Sequence, residues 1–327
     1  MKRLFLWAAL IVAALPMMAQ VSFTVKGTAH KDATTLMLMD MADRNGQPQS
    51  VPVTDGTFTA TGSKADGTVM VLIDQQHRMQ SFFIVDGSTV TVDMNTDVYT
   101  GSPQNERLSE LVRRMNDAQG EEAQEAALRQ ALAANKDNVV AAFALNFLMY
   151  GMSYDELKQA VESGDPYLSH PLCEQAKQQL KALALRAPGS MFKDLEEADT
   201  LGVSHRLSEY VGRGQYVLVD FWASWCGPCM MEMPNVKANY DKYHPKGFQV
   251  VGLSFDRAAE PWKKAIREKQ LNWIHLSDLK FWQTIAAQTY GIRSIPSSIL
   301  CDPQGKIIAV DLRGPKLGEK LREIYGF

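Results

Sequence analysis

The chain has 327 residues, 46% of them hydrophobic and 22% charged, enough to bury a large core and to divide into two or three globular units. With 34 basic against 37 acidic residues the formal charge is -3, which gives no electrostatic reason to expect nucleic acid or an anionic membrane as partner. Function has to be sought in a local site.

Residues 1–19 place Lys2 and Arg3 before the apolar stretch 4–15 and then small residues, the layout of a signal peptide cleaved near Ala19. Met17 stands where a small residue is usual, so an uncleaved anchor is the alternative reading. No cysteine stands at the cleavage point, which argues against a lipid anchor, and no later apolar run is long enough to cross a bilayer. The expectation is an exported, periplasmic protein with no stable membrane span after signal removal. Export lets disulfides persist, but four cysteines, Cys173, Cys226, Cys229 and Cys301, are too few to staple a chain of this length.

Residues 20–100 read as an antiparallel β-sandwich-like domain. Short runs such as SFTVKG, TTLMLMDM, GTFTATG, TVMVLID, MQSFFIV and STVTVDM are separated by turn residues at Arg44-Asn45-Gly46, Asp55-Gly56, Asp66-Gly67 and Asp86-Gly87. No catalytic constellation is visible there; His30 and His77 read as solitary surface histidines.

Residues 101–187 shift to Ala, Leu, Gln and Glu and read as an α-helical connector, with helical segments at 105–118, 121–134, 138–150 and 173–187. Ser153 with Glu156 resembles a capping box, and Asp165-Pro166 is a helix-start signal. Cys173 shares an apolar face with Ala176, Leu180 and Leu183 and reads as a small core residue.

Ala187-Pro188-Gly189 opens an α/β domain over 188–327. Strands are predicted at 215–222, 248–255, 297–301 and 306–312, and helices at 226–243, 259–270, 282–291 and 316–325. The βαβ order implies parallel strands, and the closing hairpin adds antiparallel ones.

The chemistry lies in FWASWCGPCMMEMP, residues 221–234, where two cysteines two residues apart sit at the junction of a strand and a helix. A thiol with pKa ~8.5 is about 3% ionised at neutral pH, and one lowered to ~7 is about half ionised. The first-turn amides and dipole of the helix favour the thiolate of Cys226. Cys229, one turn on, can close a short disulfide with it. Gly227 permits close approach, and Pro228 is tolerated in a first turn, where its missing N–H had no partner. Cys226 would attack a substrate disulfide and Cys229 would resolve the mixed disulfide. Asp220, six residues before Cys226 on an apolar strand, is the candidate proton acceptor for Cys229, since burial raises a carboxyl pKa.

VLVDFWASWCGPC resembles the thioredoxin active-site strand and helix start, and YGIRSIPSSIL resembles that superfamily's cis-proline segment. The resemblance implies a thioredoxin-like fold for 188–327, a cis-proline at Pro296 and a substrate-binding backbone at Ile295. Trp225, Gly227 and Pro228 fall with these in the implied substrate-binding set. CGPCMMEMP fits C-x-P-C-x-x-E-x-P, the pattern of exported TlpA/ResA-like members, in which the glutamate, here Glu232, points into the active-site cavity. Pro234 is expected to kink its helix. The chain departs from several members in carrying Asp220 as well as Glu232, and two carboxyls in one cavity titrate together.

The resemblance implies a thiol-disulfide oxidoreductase in cell redox homeostasis that reduces oxidised exported proteins, with cytochrome c maturation and apocytochrome c among its targets. It implies a membrane-embedded thiol electron donor and no cofactor. A disulfide oxidase or isomerase is the alternative, as is a ligand-binding protein with a non-catalytic thioredoxin-like domain. The run Pro-x-x-x-Thr-x-x-Cys of a peroxiredoxin is absent, and neither Cys173 nor Cys301 brings a second ligand at metal spacing, so no metal is expected.

Overall fold

The computed structural model describes residues 20–43 and 45–327. The signal-like segment 1–19 and Arg44 of the first turn lie outside the described residues. The chain forms two compact units, one running to Met152 and including Gln159–Ala176, the other comprising Ser153–Lys158 and Lys177–Phe327.

In the first unit, β1 (Gln20–Thr28), β2 (Thr35–Asp40), β3 (Gln49–Thr54), β4 (Thr57–Ala65), β5 (Val69–Asp74), β6 (Met79–Ile84), β7 (Thr89–Asp93) and β8 (Val98–Thr100) form one sheet in the order β6-β5-β2-β3-β4-β1-β7-β8. Neighbours are antiparallel except β1 and β7, which run parallel. Alternation is clear in β1, where Phe23 and Val25 point inward between exposed or half-buried neighbours. Two strands were not expected. Pro52 disguises β3, and β8 is only three residues long. Asp55 and Gly56 join β3 to β4 with φ of 51° and 70°, the positive angles that a two-residue hairpin turn needs. His30 and His77 are not solitary. Their rings stack at 3.8 Å, and His77 Nδ1 lies 2.7 Å from the buried Asp74 carboxylate.

The helices follow their sequence signals. In α1 (Pro103–Asp117), Ser102 caps the start and Pro103 occupies the first turn. Buried Asn105 binds both the amide and the carbonyl of Ile84, at 2.8 and 2.9 Å, and so ties α1 to β6. α2 spans Glu121–Ala134, and α3 (Val139–Leu148), capped by Asn138, is buried over most of its circumference. α4 spans Tyr154–Val161 with Ser153 and Glu156 reciprocally bonded at its start. The start expected at Asp165-Pro166 opens a four-residue 3₁₀ turn, Pro166–Ser169, rather than an α-helix. In α5 (Cys173–Ala184), Cys173 is fully buried.

The strands of the second unit begin with a hairpin, β9 (Glu196–Ala198) and β10 (Ser204–Arg206), that the sequence did not announce. Then come β11 (Tyr216–Trp222), α6 (Gly227–Tyr243), β12 (Phe248–Ser254), α7 (Ala259–Lys269), β13 (Ile274–Leu276), α8 (Ile285–Tyr290), β14 (Ser297–Cys301), β15 (Ile307–Val310) and α9 (Pro315–Tyr325). The sheet order is β13-β12-β11-β14-β15, with β11, β12 and β13 parallel and the β14–β15 hairpin antiparallel. β11 lies at the centre and is buried from Val217 to Trp222, which is why it reads as an unbroken apolar run. α6 continues through Pro234 to Tyr243.

The helix expected at 282–291 is divided. A 3₁₀ turn, Phe281–Gln283, comes first; Thr284 then caps α8, its hydroxyl accepting from the Ala286 amide and donating to buried Glu197 at 2.8 Å. Among the described residues no helix is long and apolar enough to cross a membrane.

Candidate active site

β11 delivers the chain to the cysteine pair. In the register of the sheet, Phe221 stands opposite Ser297, so the end of β11 and the start of β14 meet at one edge. Residues 222–229 leave that edge in one direction, and Pro296 enters it from the other. The Ile295–Pro296 peptide is cis, the isomer that the resemblance implies for this segment, and Ile295 and Pro296 are half-buried.

Cys226 is the N-cap of α6, with Gly227 and Pro228 in its first turn. Its Sγ accepts a hydrogen bond from the Cys229 amide at 3.2 Å. That amide is one of the first-turn donors without an intrahelical partner, and it favours negative charge on the sulfur it touches. Cys226 and Cys229 are joined as a disulfide. Cys229 is 1% exposed and Cys226 5%, whereas Trp225 beside them is 47% exposed. An accessible indole thus directly precedes a buried pair.

The turn before Cys226 is held by a residue that the sequence reading did not select. Asp256, buried just beyond β12, accepts from the Ser224 amide at 3.0 Å and from the Ser224 hydroxyl at 2.5 Å. Ser254 also donates to it, at 2.7 Å. The only pointer was its position at the carboxyl end of a strand parallel to β11, where functional groups of such sheets gather. The indole of Trp225 donates to the Phe255 carbonyl at 3.1 Å and lies 4.9 Å from the Phe281 ring and 6.2 Å from that of Trp282. Arg257 covers Phe281 at 3.8 Å from its ring centre. Trp282, read from the sequence only as a helix residue, and Phe281, which fell in no predicted element, therefore belong to the surroundings of Trp225.

Asp220 is buried, its Oδ2 has no hydrogen-bond partner among the described residues, and its register partners Gly252 and Ser298 carry no charge. Burial and, after it, the nearby Glu232 carboxylate push its carboxyl up to about 7 against the opposing charge of Arg313. The sheet beside Asp220 has a notch at Gly252. A Cβ there would lie 2.8 Å from Trp222 Nε1 and 2.9 Å from His275 Nδ1. Burial holds His275 neutral, its pKa lowered to about 4.

Glu232 is half-buried, and its Oε1 accepts from the Asn235 side chain at 2.6 Å and from the Gly314 amide at 2.9 Å. The structure thus places Asp220 and Glu232 within electrostatic reach of each other and adds Arg313 and Gly314, which lie more than 80 residues further along the chain than Glu232. Among the described residues no group of three or more His, Cys, Asp or Glu could hold a metal ion. The chemistry open to this arrangement is reversible dithiol-disulfide exchange, with a carboxyl poised to take and return a proton near neutral pH.

The profile described as AhpC/TSA family matches residues 188–310. Thiol-disulfide oxidoreductase ResA of Bacillus cereus (strain ATCC 10987 / NRS 248) is 31% identical over 153 residues, 45% of this chain and 79% of that protein. Its counterpart in Bacillus thuringiensis subsp. konkukian is 32% identical over 152 residues, with the same two coverages. Among solved structures, the thioredoxin domain of a thiol-disulfide oxidoreductase from Bacteroides vulgatus is 37% identical, covering 42% of this chain and 97% of that one, with a TM-score of 0.40.

Proposed function

The chain belongs to the TlpA/ResA-like thiol-disulfide oxidoreductases, with an additional N-terminal module, and on that premise we propose that it works as a reductant of exported proteins. The observation that carries this reading is Cys226 at the N-cap of α6, its sulfur on the Cys229 amide, at the end of the strand that carries the buried Asp220.

In the proposed cycle the Cys226 thiolate attacks one sulfur of a substrate disulfide. A Cys226–substrate bond forms, the substrate S–S bond breaks, and one substrate thiolate leaves. Cys229 then gives its proton to the Asp220 carboxylate and attacks Cys226 Sγ. The intramolecular disulfide forms, and the second substrate sulfur leaves with that proton. Two electrons pass to the substrate, and a membrane-embedded thiol donor restores the dithiol. Apocytochrome c is one substrate class in this reading, and the periplasm is its compartment.

Ile295 and Pro296 would present backbone to the extended substrate, with Trp225, Gly227 and Pro228 bordering the attacked sulfur. The 20–100, 101–187 and 188–327 divisions would act as module, connector and redox domain.

The test is the reduction potential of the Cys226–Cys229 couple together with trapping in Cys229→Ser. A potential around -250 mV or lower, with mixed disulfides to exported proteins accumulating in the variant, supports a reductant. A potential around -120 mV would make the protein an oxidant, and a Cys226→Ser variant that kept full activity would leave the ligand-binding reading.

A further inference from the structure

The segment between β15 and α9 forms a strap across the site. Asp311 accepts from the Ser297 hydroxyl at 2.6 Å and from the Ser298 amide at 3.2 Å, gripping the first two residues of β14. Asp311 is in turn held by Arg186 at 2.7 Å. Two residues on, Arg313 donates through Nη2 to the Pro296 carbonyl. The next amide, that of Gly314, donates to Glu232 Oε1 at 2.9 Å, while the Gly314 carbonyl accepts from Asn235 at 3.0 Å. Residues 311–314 are therefore bonded on one side to the cis-proline segment and on the other to the cysteine-bearing helix.

We propose that Arg313 is a positioning residue for thiol-disulfide exchange: it fixes the carbonyl of the cis-proline Pro296 and sets the charge balance between Asp220 and Glu232. The assignment rests on the exchange cycle proposed above. Two features make the arginine consequential. Asp220 has an unpartnered buried oxygen, and its sheet neighbours Gly252 and Ser298 offer it no charge. Among the described residues the charged groups acting on it are Glu232 from α6, which disfavours its ionisation, and Arg313 from the strap, which favours it.

Without the guanidinium, Asp220 would keep its proton to higher pH and be available as a base only there. A lysine would supply the same charge as a point, without the planar fork that reaches the Pro296 carbonyl. Charge and clamp can therefore be separated by substitution.

The experiment uses the full chain, reduced, with insulin and a small aromatic disulfide as the two oxidants, and follows rate against pH for wild type, Arg313→Gln and Arg313→Lys. R313Q is expected to move the midpoint of the rising limb upward by about half a pH unit, a roughly threefold slower rate below that midpoint. R313K is expected to keep the wild-type midpoint while raising KM for insulin and leaving KM for the small disulfide unchanged. The role is overturned if both variants keep the wild-type midpoint and KM, or if both move the midpoint equally, which would mark a general distortion of the loop. Wild-type protein that reduces neither oxidant would instead sink the exchange cycle itself, and the Arg313 role with it.

Discussion

Glu232 Oε1 accepts the Gly314 amide at 2.9 Å across 82 residues of sequence, so the glutamate that follows the cysteine pair is also a structural tie. Its second donor, Asn235, bonds the Gly314 carbonyl as well, closing a small ring of polar contacts between α6 and the strap. Glu232→Gln keeps an acceptor oxygen for the Gly314 amide, whereas Glu232→Ala leaves both donors without it. We expect E232A to lose about 1–3 kcal/mol of stability, with E232Q losing clearly less. Urea unfolding of the oxidised proteins decides it; equal losses would show that the hydrogen bonds are not what the side chain contributes.

Asp220 should make stability depend on pH in an unusual direction. Its folded pKa, raised to about 7, lies above the ordinary value of 3.8, so between those limits the folded protein binds more protons than the unfolded chain. Stability from this group is therefore intact at low pH and is lost as pH rises from about 4 to about 7. Glu197, raised by burial from 4.5 to about 7, adds to the same slope. For Asp220 the loss is bounded at about 4 kcal/mol. Asp220→Asn should flatten the curve and be the more stable protein at pH 8; a wild type whose stability climbs over that interval relative to D220N contradicts the assignment.

The four cysteines should fall into two classes. Cys173 and Cys301 are fully buried, and burial with the neighbouring Asp302 charge pushes the Cys301 thiol up to about 12. After reduction, native protein treated with iodoacetamide at pH 8 should gain adducts by mass spectrometry only within the pair, first at Cys226, which is 5% exposed against 1% for Cys229, and four once denatured. A third adduct on folded protein would place a reactive thiol outside the pair.

Two glycines are fixed by close approach. A Cβ on Gly252 would meet Trp222 Nε1 at 2.8 Å and His275 Nδ1 at 2.9 Å, both on buried rings with little room to move. A Cβ on Gly27 would lie 1.7 Å from the Val92 carbonyl oxygen, in the parallel β1–β7 pair. Gly252→Ala should cost about 1–3 kcal/mol, and Gly27→Ala more, because backbone must shift rather than side chains. Calorimetry with two resolved transitions would assign G27A to the first unit and G252A to the second; unshifted transitions would show that the surroundings yield.

Much of the second unit was legible because its elements announce themselves locally. β11 is a continuous apolar run with turn signals around it, and α6 starts at Gly227-Pro228, one residue after the predicted boundary. β13 escaped notice because its three residues lie in a stretch after β12 whose only strong periodicity is that of α7. The 282–291 helix was read as continuous because its apolar spacing survives the break. The break itself comes from Thr284, whose hydroxyl caps α8 while binding Glu197, a partner 87 residues away. The stacking of His30 on His77 was hidden in the same way, since each histidine is alone within its own run of sequence.

By itself the sequence determined the cysteine pair, its place where a strand meets a helix, and the carboxyl on the approaching strand, because spacing along a chain of known local geometry is enough to assign each group to its element. Only the tertiary structure decided that Asp256 holds the Ser224 turn, that Glu232 is bonded to Gly314, and that Arg313 opposes Glu232 in its effect on Asp220. Charge and hydrogen bonding act through distance in space, and these groups are separated by 32 to 93 residues along the chain while sharing one end of one sheet.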